Sequence, residues 1–409
     1  MDRTTCKIVV LDDDAFTRNL HATVLANLGF QQVATCASGQ EALGTLDDAR
    51  TSPSVILVDL NMPGMDGVEF VRELVDRGYT GCLILVSGES ERILKSAHAL
   101  VKAHRIDVLG SFSKPVSPPL LDAALNKADT ANSIWRPAAR KSYGAVELHQ
   151  GIQNGELINH YQPKVSLSTG QVTGVETLVR WRHPLDGLVY PEQFIPEAES
   201  YGLIDALTRA VLVQAFTDAA TWRAAGLELS VAVNVSMDNL TALDFPDFVS
   251  EQARLKGLQP ASIILEVTES QLMKDLRAPL EILTRLRLRR FRLSIDDFGT
   301  GHSSLAQLRD LPFDELKIDR GFVHGARHNE TLRAIFQASL GLARQLGMET
   351  VAEGVEDSDD ADFLRSTCCD QAQGYFFARP MAATQVEAWV RAYSSLPGLA
   401  IVDATALLT

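Results

Sequence analysis

Short uninterrupted apolar runs, separated by segments in which apolar residues return every three or four positions, set the pattern of the first third of the chain. The runs Ile8-Val9-Val10-Leu11, Val55-Ile56-Leu57-Val58 and Leu83-Ile84-Leu85-Val86 have the continuous hydrophobicity of strands buried on both faces. Between the first two, Phe16, Leu20, Val24 and Leu28 recur at helical spacing, and Gly29 follows as a stop. Strand and helix in alternation predict an α/β domain with a doubly wound parallel sheet over residues 1–127. Within it, the stretch from Glu89 to Asp107 carries Ile93, Leu94, Ala97, Leu100 and Val101 as a helical stripe. Such a stripe suits either the domain's own core or a partner surface.

Residues 128–146 sustain no period, and the Ala, Asn, Ser and Arg content around Trp135-Arg136-Pro137 marks a linker, helical in part. Alternation resumes at Glu147. Strands are expected at 158–167, 172–181, 229–236, 262–269, 292–297, 315–319, 348–353 and 370–377, with helical stretches between most of them. About eight such units predict a TIM-like (β/α)8 barrel over 147–395. The final stretch, 396–409, is an apolar tail without a period.

Composition agrees with two folded domains: 409 residues exceed one ordinary core, and 46% hydrophobic with 22% charged residues is a globular balance. A net charge of −14 disfavours DNA as a partner, because backbone binding needs clustered Lys and Arg. Small anionic ligands and divalent cations remain. No apolar run approaches the roughly 20 residues of a spanning helix, and Met1-Asp2-Arg3-Thr4-Thr5-Cys6 leads straight into a strand. No membrane insertion and a cytoplasmic location are therefore expected. Five cysteines, at 6, 36, 82, 368 and 369, show no C-x-x-C spacing and are expected to be reduced, mostly buried thiols.

Candidate chemistry appears where the strands end. Asp12, Asp13 and Asp14 follow the first apolar run, Asp59 ends another, Ser87 follows Val86, and Lys114 precedes Pro115. In an open parallel sheet the carboxyl ends face one crevice, so these groups can converge. Two carboxylates with Asp59 make an oxygen-rich magnesium site; Asp59 can then attack a phosphoryl donor, Ser87 hydrogen-bond the transferred group and Lys114 pair with its charge. Asp14 alone fits a helix cap equally well. The segments Leu11-Asp12-Asp13-Asp14, Asp59-Leu60-Asn61-Met62-Pro63-Gly64-Met65-Asp66-Gly67 and Ser113-Lys114-Pro115 resemble the response-regulator receiver family. The resemblance implies Asp12 and Asp13 as an acidic pair, Asp59 as phosphoacceptor, the Asn61 carbonyl as a further ligand to one Mg2+ or Mn2+, and a cognate histidine kinase. Two features depart from the family. Ser111 stands where these domains carry an aromatic switch, and the stretch from Ser87 to Lys114 is a few residues longer than usual. The signal is then expected to pass through the Glu89–Asp107 stripe, to the barrel or to a second receiver in a homo-oligomer.

The second half places polar groups inside apolar strands: Glu176, Asn234, Glu266, Glu269, the pair Asp296-Asp297, Lys317, Asp319 and Glu353. A carboxylate there is costly unless paired or metal-bound, and several at the top of one barrel point to hard-cation sites. Adjacent aspartates can bridge two metals about 4 Å apart, which clamp the attacking and leaving oxygens of an in-line phosphoryl displacement. A phosphate ester is then the natural substrate, with Lys317 orienting the water or neutralising charge and Glu353 taking its proton. Glu269 is read as a tether for the loop after Asp297, Asp319 as a cap, an ion-pair partner or a site residue, and His183 and His302 as surface imidazoles. The run Arg285-Leu286-Arg287-Leu288-Arg289-Arg290 reads as the solvated face of a helix.

The segments Tyr161-Gln162-Pro163-Lys164, Glu176-Thr177-Leu178-Val179-Arg180-Trp181, Phe194-Ile195-Pro196, Asn234-Val235-Ser236, Asp296-Asp297-Phe298-Gly299-Thr300-Gly301, Lys317-Ile318-Asp319, Glu353-Gly354-Val355-Glu356 and Gln373-Gly374-Tyr375 closely resemble the EAL-domain family of cyclic di-GMP phosphodiesterases. The resemblance covers about 147–392 and implies hydrolysis of cyclic di-GMP to linear pGpG. It implies Glu176, Asn234, Glu266 and Asp296 on one Mg2+ or Mn2+, Asp296 and Asp297 on a second, and Glu353 and Lys317 at the water. Gln162, Arg180, Gln373 and Glu356 would contact the dinucleotide, Arg180 near a phosphate. The name-giving motif reads Glu176-Thr177-Leu178, which keeps the carboxylate, and His302 replaces the usual Tyr. No diguanylate-cyclase signature is present. Two readings compete: a silent cyclic di-GMP receptor, which typically lacks a metal ligand where this chain lacks none, and a metal phosphodiesterase for another nucleotide.

Overall fold

The computed structural model describes residues 3–46, 53–104, 106–134, 143–269, 277–299 and 305–395. Two compact units divide the chain, Met1–Arg140 and Lys141–Thr409. In the first, β1 (Lys7–Leu11), β2 (Gln32–Cys36), β3 (Val55–Asp59), β4 (Cys82–Ser87) and β5 (Asp107–Ser113) form one parallel sheet in the order β2-β1-β3-β4-β5. The helices are α1 (Ala15–Asn27), α2 (Gly39–Gly44), α3 (Gly67–Asp76), α4 (Glu91–Ala103) and α5 (Pro118–Ile134). The pleat sorts each strand into two layers: Val9, Leu11, Ile56 and Val58 pack with Phe70 and Leu74, while Ile8, Val10, Val55 and Leu57 pack with Leu25 and Leu121. Strand order reverses at β1 and β3, so Asp12 and Asp59 stand at the crevice where doubly wound sheets bind ligands.

The stripe on α4 resolves in favour of the core. Leu94, Ala97 and Val101 are buried against the sheet, and only Ile93 and Leu100, 47% and 39% exposed, face outward. The spacing 94, 97, 101 is the inward face of the helix, so Leu94 and Val101 are corrected to core positions. α5 runs on to Ile134, into the segment read as linker, and another helix already spans Ala145–Gln153. The tail at 396–409 lies outside the described residues.

The second unit contains β6 (Leu157–Ser166), β7 (Val172–His183), β8 (Gly187–Val189), β9 (Ser230–Asn234), β10 (Ile263–Thr268), β11 (Arg292–Phe298), β12 (Glu315–Ile318), β13 (Glu349–Ala352), β14 (Gln371–Ala372) and β15 (Met381–Ala382). The sheet runs β15-β6-β14-β13-β12-β11-β10-β9-β7-β8, and β6 also pairs with β7, which closes an eight-stranded barrel. One strand departs from a regular (β/α)8 barrel: β6 is antiparallel to both β7 and β14, whereas the other barrel pairs are parallel. The cause is local, because only residues 167–171 connect β6 to β7, and a parallel return needs a crossover of a dozen or so residues.

A second departure concerns the last barrel strand, expected over 370–377 and formed over Gln371–Ala372 alone. The chain leaves the sheet at Gly374, where a Cβ would stand 2.1 Å from the Val355 carbonyl oxygen, so only glycine lets the two loops touch. Phe376 and Phe377 are buried in that loop, which is why their hydrophobicity resembled a strand. The arginine run is likewise not free in solvent: Arg285 and Arg289 pair with Asp247, and Arg287 with Asp314 at 2.6 Å. Among the described residues no helix is long and apolar enough to cross a membrane.

Candidate active site

Asp12 and Asp59 are 2% and 4% exposed at the strand ends, and Lys114 Nζ stands 2.8 Å from Asp12 Oδ2 and 2.7 Å from Asp59 Oδ2. Asp13 completes the group, with one oxygen of each carboxylate within 4.8 Å of the others. Asp59 Oδ1 accepts the Asn61 N–H at 3.1 Å, and Ser87 Oγ accepts the Glu89 N–H at 3.1 Å. Burial raises the Asp59 pKa and Lys114 opposes the rise. Asp14 caps α1, accepting from the Thr17 N–H at 2.8 Å. Ser111 Oγ lies 2.8 Å from Nδ1 of His98 on α4, so a hydrogen bond ties β5 to that helix where an aromatic side chain was expected.

In the barrel, β7 supplies Glu176, and the register sets Asn234 of β9 level with Glu266 of β10. β11 has a bulge between Ile295 and Phe298, and Asp297 is held at φ 55°. That left-handed conformation is unfavourable for a residue with a side chain. A bulge interrupts the alternation of a strand, which lets two consecutive carboxylates serve one site. Oxygens of Glu176, Glu266 and Asp296 fall within 4.8 Å of one another, and so do those of Asp296, Asp297 and Glu353. Asp296 belongs to both groups. Three carboxylates beside the Asn234 amide are the hard donors that Mg2+ and Mn2+ take, so the residues present fit such an ion. Asn234 now turns Nδ2 to Glu176 and Glu266, at 3.3 and 3.4 Å, and would turn Oδ1 inward to ligate.

Lys317 is fully buried, with Nζ 2.7 Å from Glu353, 3.1 Å from Asp296, 3.2 Å from Glu266 and 3.4 Å from Glu176. One ammonium cannot balance these carboxylates. Burial above all, opposed by Lys317 and reinforced by Asp296 and Glu176, holds Glu353 well above the usual carboxylate range. Asp296 and Glu176 are raised for the same leading reason. Glu266 moves the other way, to about 2, because Lys164 and Lys317 outweigh its burial. Lys164 reaches Glu266 Oε1 at 2.8 Å and Glu315 Oε1 at 3.0 Å from a fully enclosed position. Neither Lys164 nor Glu315 was singled out from the sequence. The signal was available, since a lysine inside an apolar strand demands a partner as much as a carboxylate does.

Gln373 Nε2 bonds Glu176 at 2.5 Å and Gln162 at 3.0 Å, and Gln162 bonds the Ala378 carbonyl at 2.9 Å. The Arg180 guanidinium lies over the Tyr190 ring at 5.0 Å, and its buried Nε has no partner among the described residues. Glu356 pairs with Arg320 at 3.0 Å. Gln162, Glu176, Asp297, Asp319, Glu353 and Tyr375 line a cavity of about 220 Å³. Beside it, Leu178, Pro191, Ile195, Val211 and Asn234 line an apolar one of about 270 Å³. Glu269 Oε2 accepts the Gly299 N–H at 2.8 Å, at the start of the loop that follows Asp297. Asp319 caps the turn Arg320–Val323 through the Gly321 N–H. His183 is buried rather than superficial, with Nε2 3.0 Å from Glu147, and His302 lies outside the described residues.

Residues 8–126 match the response regulator receiver domain and residues 145–380 the EAL domain. The cyclic di-GMP phosphodiesterase RocR of Pseudomonas aeruginosa is 32% identical over 91% of this chain and 96% of its own length. An uncharacterized signaling protein of Caulobacter vibrioides is 44% identical over 61% of this chain, which spans only 30% of that protein. In a solved complex of the PaMucR phosphodiesterase with c-di-GMP, the protein chain is 42% identical, superposes with a TM-score of 0.56, and corresponds to 59% of this chain and 98% of its own. On both domain matches, and on an alignment with RocR that runs nearly end to end, the chain belongs to the EAL-domain family and carries a response-regulator receiver domain ahead of it.

Proposed function

We propose that the chain hydrolyses cyclic di-GMP to linear pGpG, and that a cognate histidine kinase controls it through phosphorylation of Asp59. The observation that carries this is the shared position of Asp296 in two carboxylate groups, one of which includes Glu353, with Lys317 paired to both. RocR and PaMucR support the substrate, since the first is named a cyclic di-GMP phosphodiesterase and the second is a phosphodiesterase solved with that ligand.

Glu176, Asn234, Glu266 and Asp296 would hold one Mg2+ or Mn2+, Asp296 with Asp297 a second, and Asp12, Asp13, Asp59 and the Asn61 carbonyl one in the receiver. Bound there, the barrel ions would lower the pKa of water and share the charge that develops on phosphoryl oxygens. Glu353 takes the proton of the attacking water, a task suited to a carboxylate that burial makes more basic than usual. Lys317 orients Glu353 and offsets developing negative charge. Gln162 and Gln373 position the dinucleotide beside Glu176, and Arg180, preorganised on Tyr190, meets a phosphate. In the receiver, Asp59 is the nucleophile toward the phosphoryl donor, Lys114 pairs with the new charge and Ser87 donates to it. The exposed Ile93 and Leu100 of α4 offer an edge for a homo-oligomer.

The test is turnover of cyclic di-GMP by the purified chain, with pGpG separated and quantified. Hydrolysis should require Mg2+ or Mn2+, stop in EDTA, be inhibited by Ca2+, and change on adding a small phosphoryl donor, with Asp59→Asn blind to the donor. Tight binding without product in either metal would favour a silent receptor.

A further inference from the structure

Two loops wall the cavity on the side of Glu353, and one buried carboxylate ties them together. The first follows β12 and holds Asp319 and Arg320, then His324 and Gly325; the second follows β13 and runs from Glu353 to Glu356. Asp360, 1% exposed in the first turn of the helix Ser358–Arg365, reaches both. Its Oδ1 accepts the Gly325 N–H at 3.0 Å. Its Oδ2 accepts the Glu356 N–H at 3.1 Å and lies 2.8 Å from His324 Nδ1. The hydrogen bond to Asp360, with the charges of Asp360, Glu356 and Asp357, raises the His324 pKa, so a proton on Nδ1 is favoured.

The loops meet closely at the rim. Gly354 has φ 65°, and a Cβ there would fall 2.2 Å from Arg320 Cβ. Arg320 and Glu356 form an ion pair across the same contact. Glu353 is held by other means, through Lys317 and through its own N–H to the Ile318 carbonyl at 3.1 Å. The staple therefore governs Glu356 and Arg320 without governing the group that activates water.

We propose that Asp360, clamped by His324, is a positioning residue for substrate binding: it fixes Glu356 and Arg320 at the cavity mouth, where the dinucleotide enters. The inference rests on the phosphodiesterase reading above, and it concerns KM and leaves kcat aside.

Hydrolysis of cyclic di-GMP by the wild-type full chain, measured first at saturating Mg2+, tests that reading alone. In the same assay Asp360→Ala is expected to raise KM about tenfold while kcat stays within about threefold. His324→Ala, at a half-exposed position that leaves the fold intact, is expected to raise KM about threefold, and His324→Gln, whose amide still donates to Asp360, to return it near the wild-type value. A fall in kcat without a rise in KM is what simple loss of folded enzyme produces, and it overturns the proposal. So does an unchanged KM in folded Asp360→Ala or, if that variant does not fold, in His324→Ala. An inactive wild-type chain would instead sink the phosphodiesterase reading.

Discussion

Lys317 Nζ lies within 3.4 Å of oxygens from Glu176, Glu266, Asp296 and Glu353, so even with Lys164 on Glu266 two buried ammonium groups face four carboxylates. In a medium of low dielectric that imbalance is relieved by protons or by cations, and the raised pKa of Glu353 records it. If Glu353 accepts the proton of water, Glu353→Gln should lower kcat by about 100-fold or more while the affinity for cyclic di-GMP stays nearly constant. Calorimetric binding beside single-turnover kinetics separates the two, and a variant with most of its kcat would move the base elsewhere. Lys164 supplies a stability counterpart. Lys164→Met leaves buried Glu315 with only the distant Arg292 at 4.0 Å and takes from Glu266 one of its two ammonium partners, and breaking such a pair should cost about 3–5 kcal/mol in urea unfolding. Adding Glu315→Gln removes one stranded charge and should recover part of the loss; a double variant no more stable than the single would show that Lys164 does not hold Glu315. The carboxylates of this site were legible in the sequence because acids interrupt apolar strands. The same rule extends to Lys164, but in Pro163-Lys164-Val165 the lysine aliphatic stem blends with its apolar neighbours and hides the buried charge.

At the scale of elements, strand positions were legible wherever burial was continuous: 262–269 was expected and Ile263–Thr268 formed. The expectation over 370–377 failed because burial is not peculiar to strands, and a loop that packs Phe376 and Phe377 into the hydrophobic core carries the same apolar signature. Strand direction was not legible at all in β6, since the short connection at 167–171 decides it and apolar pattern does not. The bulge at Asp296-Asp297 was also hidden, although it explains how neighbours in a strand both reach the site. For α4 the periodicity was legible and its partner was not. Burial now separates the stripe, so Leu94→Asp should unfold the receiver unit or lower its melting temperature sharply, as buried charges do. Ile93→Asp and Leu100→Asp should leave melting within a few degrees and, if this edge joins copies of the chain, shift the mass seen by light scattering toward monomer. Equal melting of Leu94→Asp and wild type would refute the core assignment.

At the scale of the whole molecule, charge links metal, pH and stability. The chain carries a net charge of −14, and its barrel gathers Glu176, Asp296 and Glu353 where burial raises their pKa values. A carboxylate whose folded pKa is raised contributes stability that is fully present below its unfolded value and is lost as pH rises through the folded one. Glu266 has the opposite sign: lowered to about 2, its contribution is present above the unfolded value and disappears only as pH falls toward that point. In the metal-free barrel the raised groups, Asp297 among them, outnumber Glu266, so on their account stability should fall as pH rises above the unfolded carboxylate value of about 4. Ions compete with protons for these oxygens, and binding to the folded state alone adds about 2.7 kcal/mol at a hundredfold excess over Kd. The melting shift produced by Mg2+ should therefore grow as pH rises above the unfolded carboxylate value of about 4. Because the chain has two units, the receiver's own acidic site contributes a separate shift, which Asp59→Asn should reduce without touching the barrel transition. Replacing Asp296 by Asn should do the reverse, leaving the receiver shift and flattening that of the barrel across the pH range. A barrel shift of constant size at every pH would mean that Mg2+ does not compete with protons on Glu176 and Asp296, and the site would then have to bind its ions through other groups.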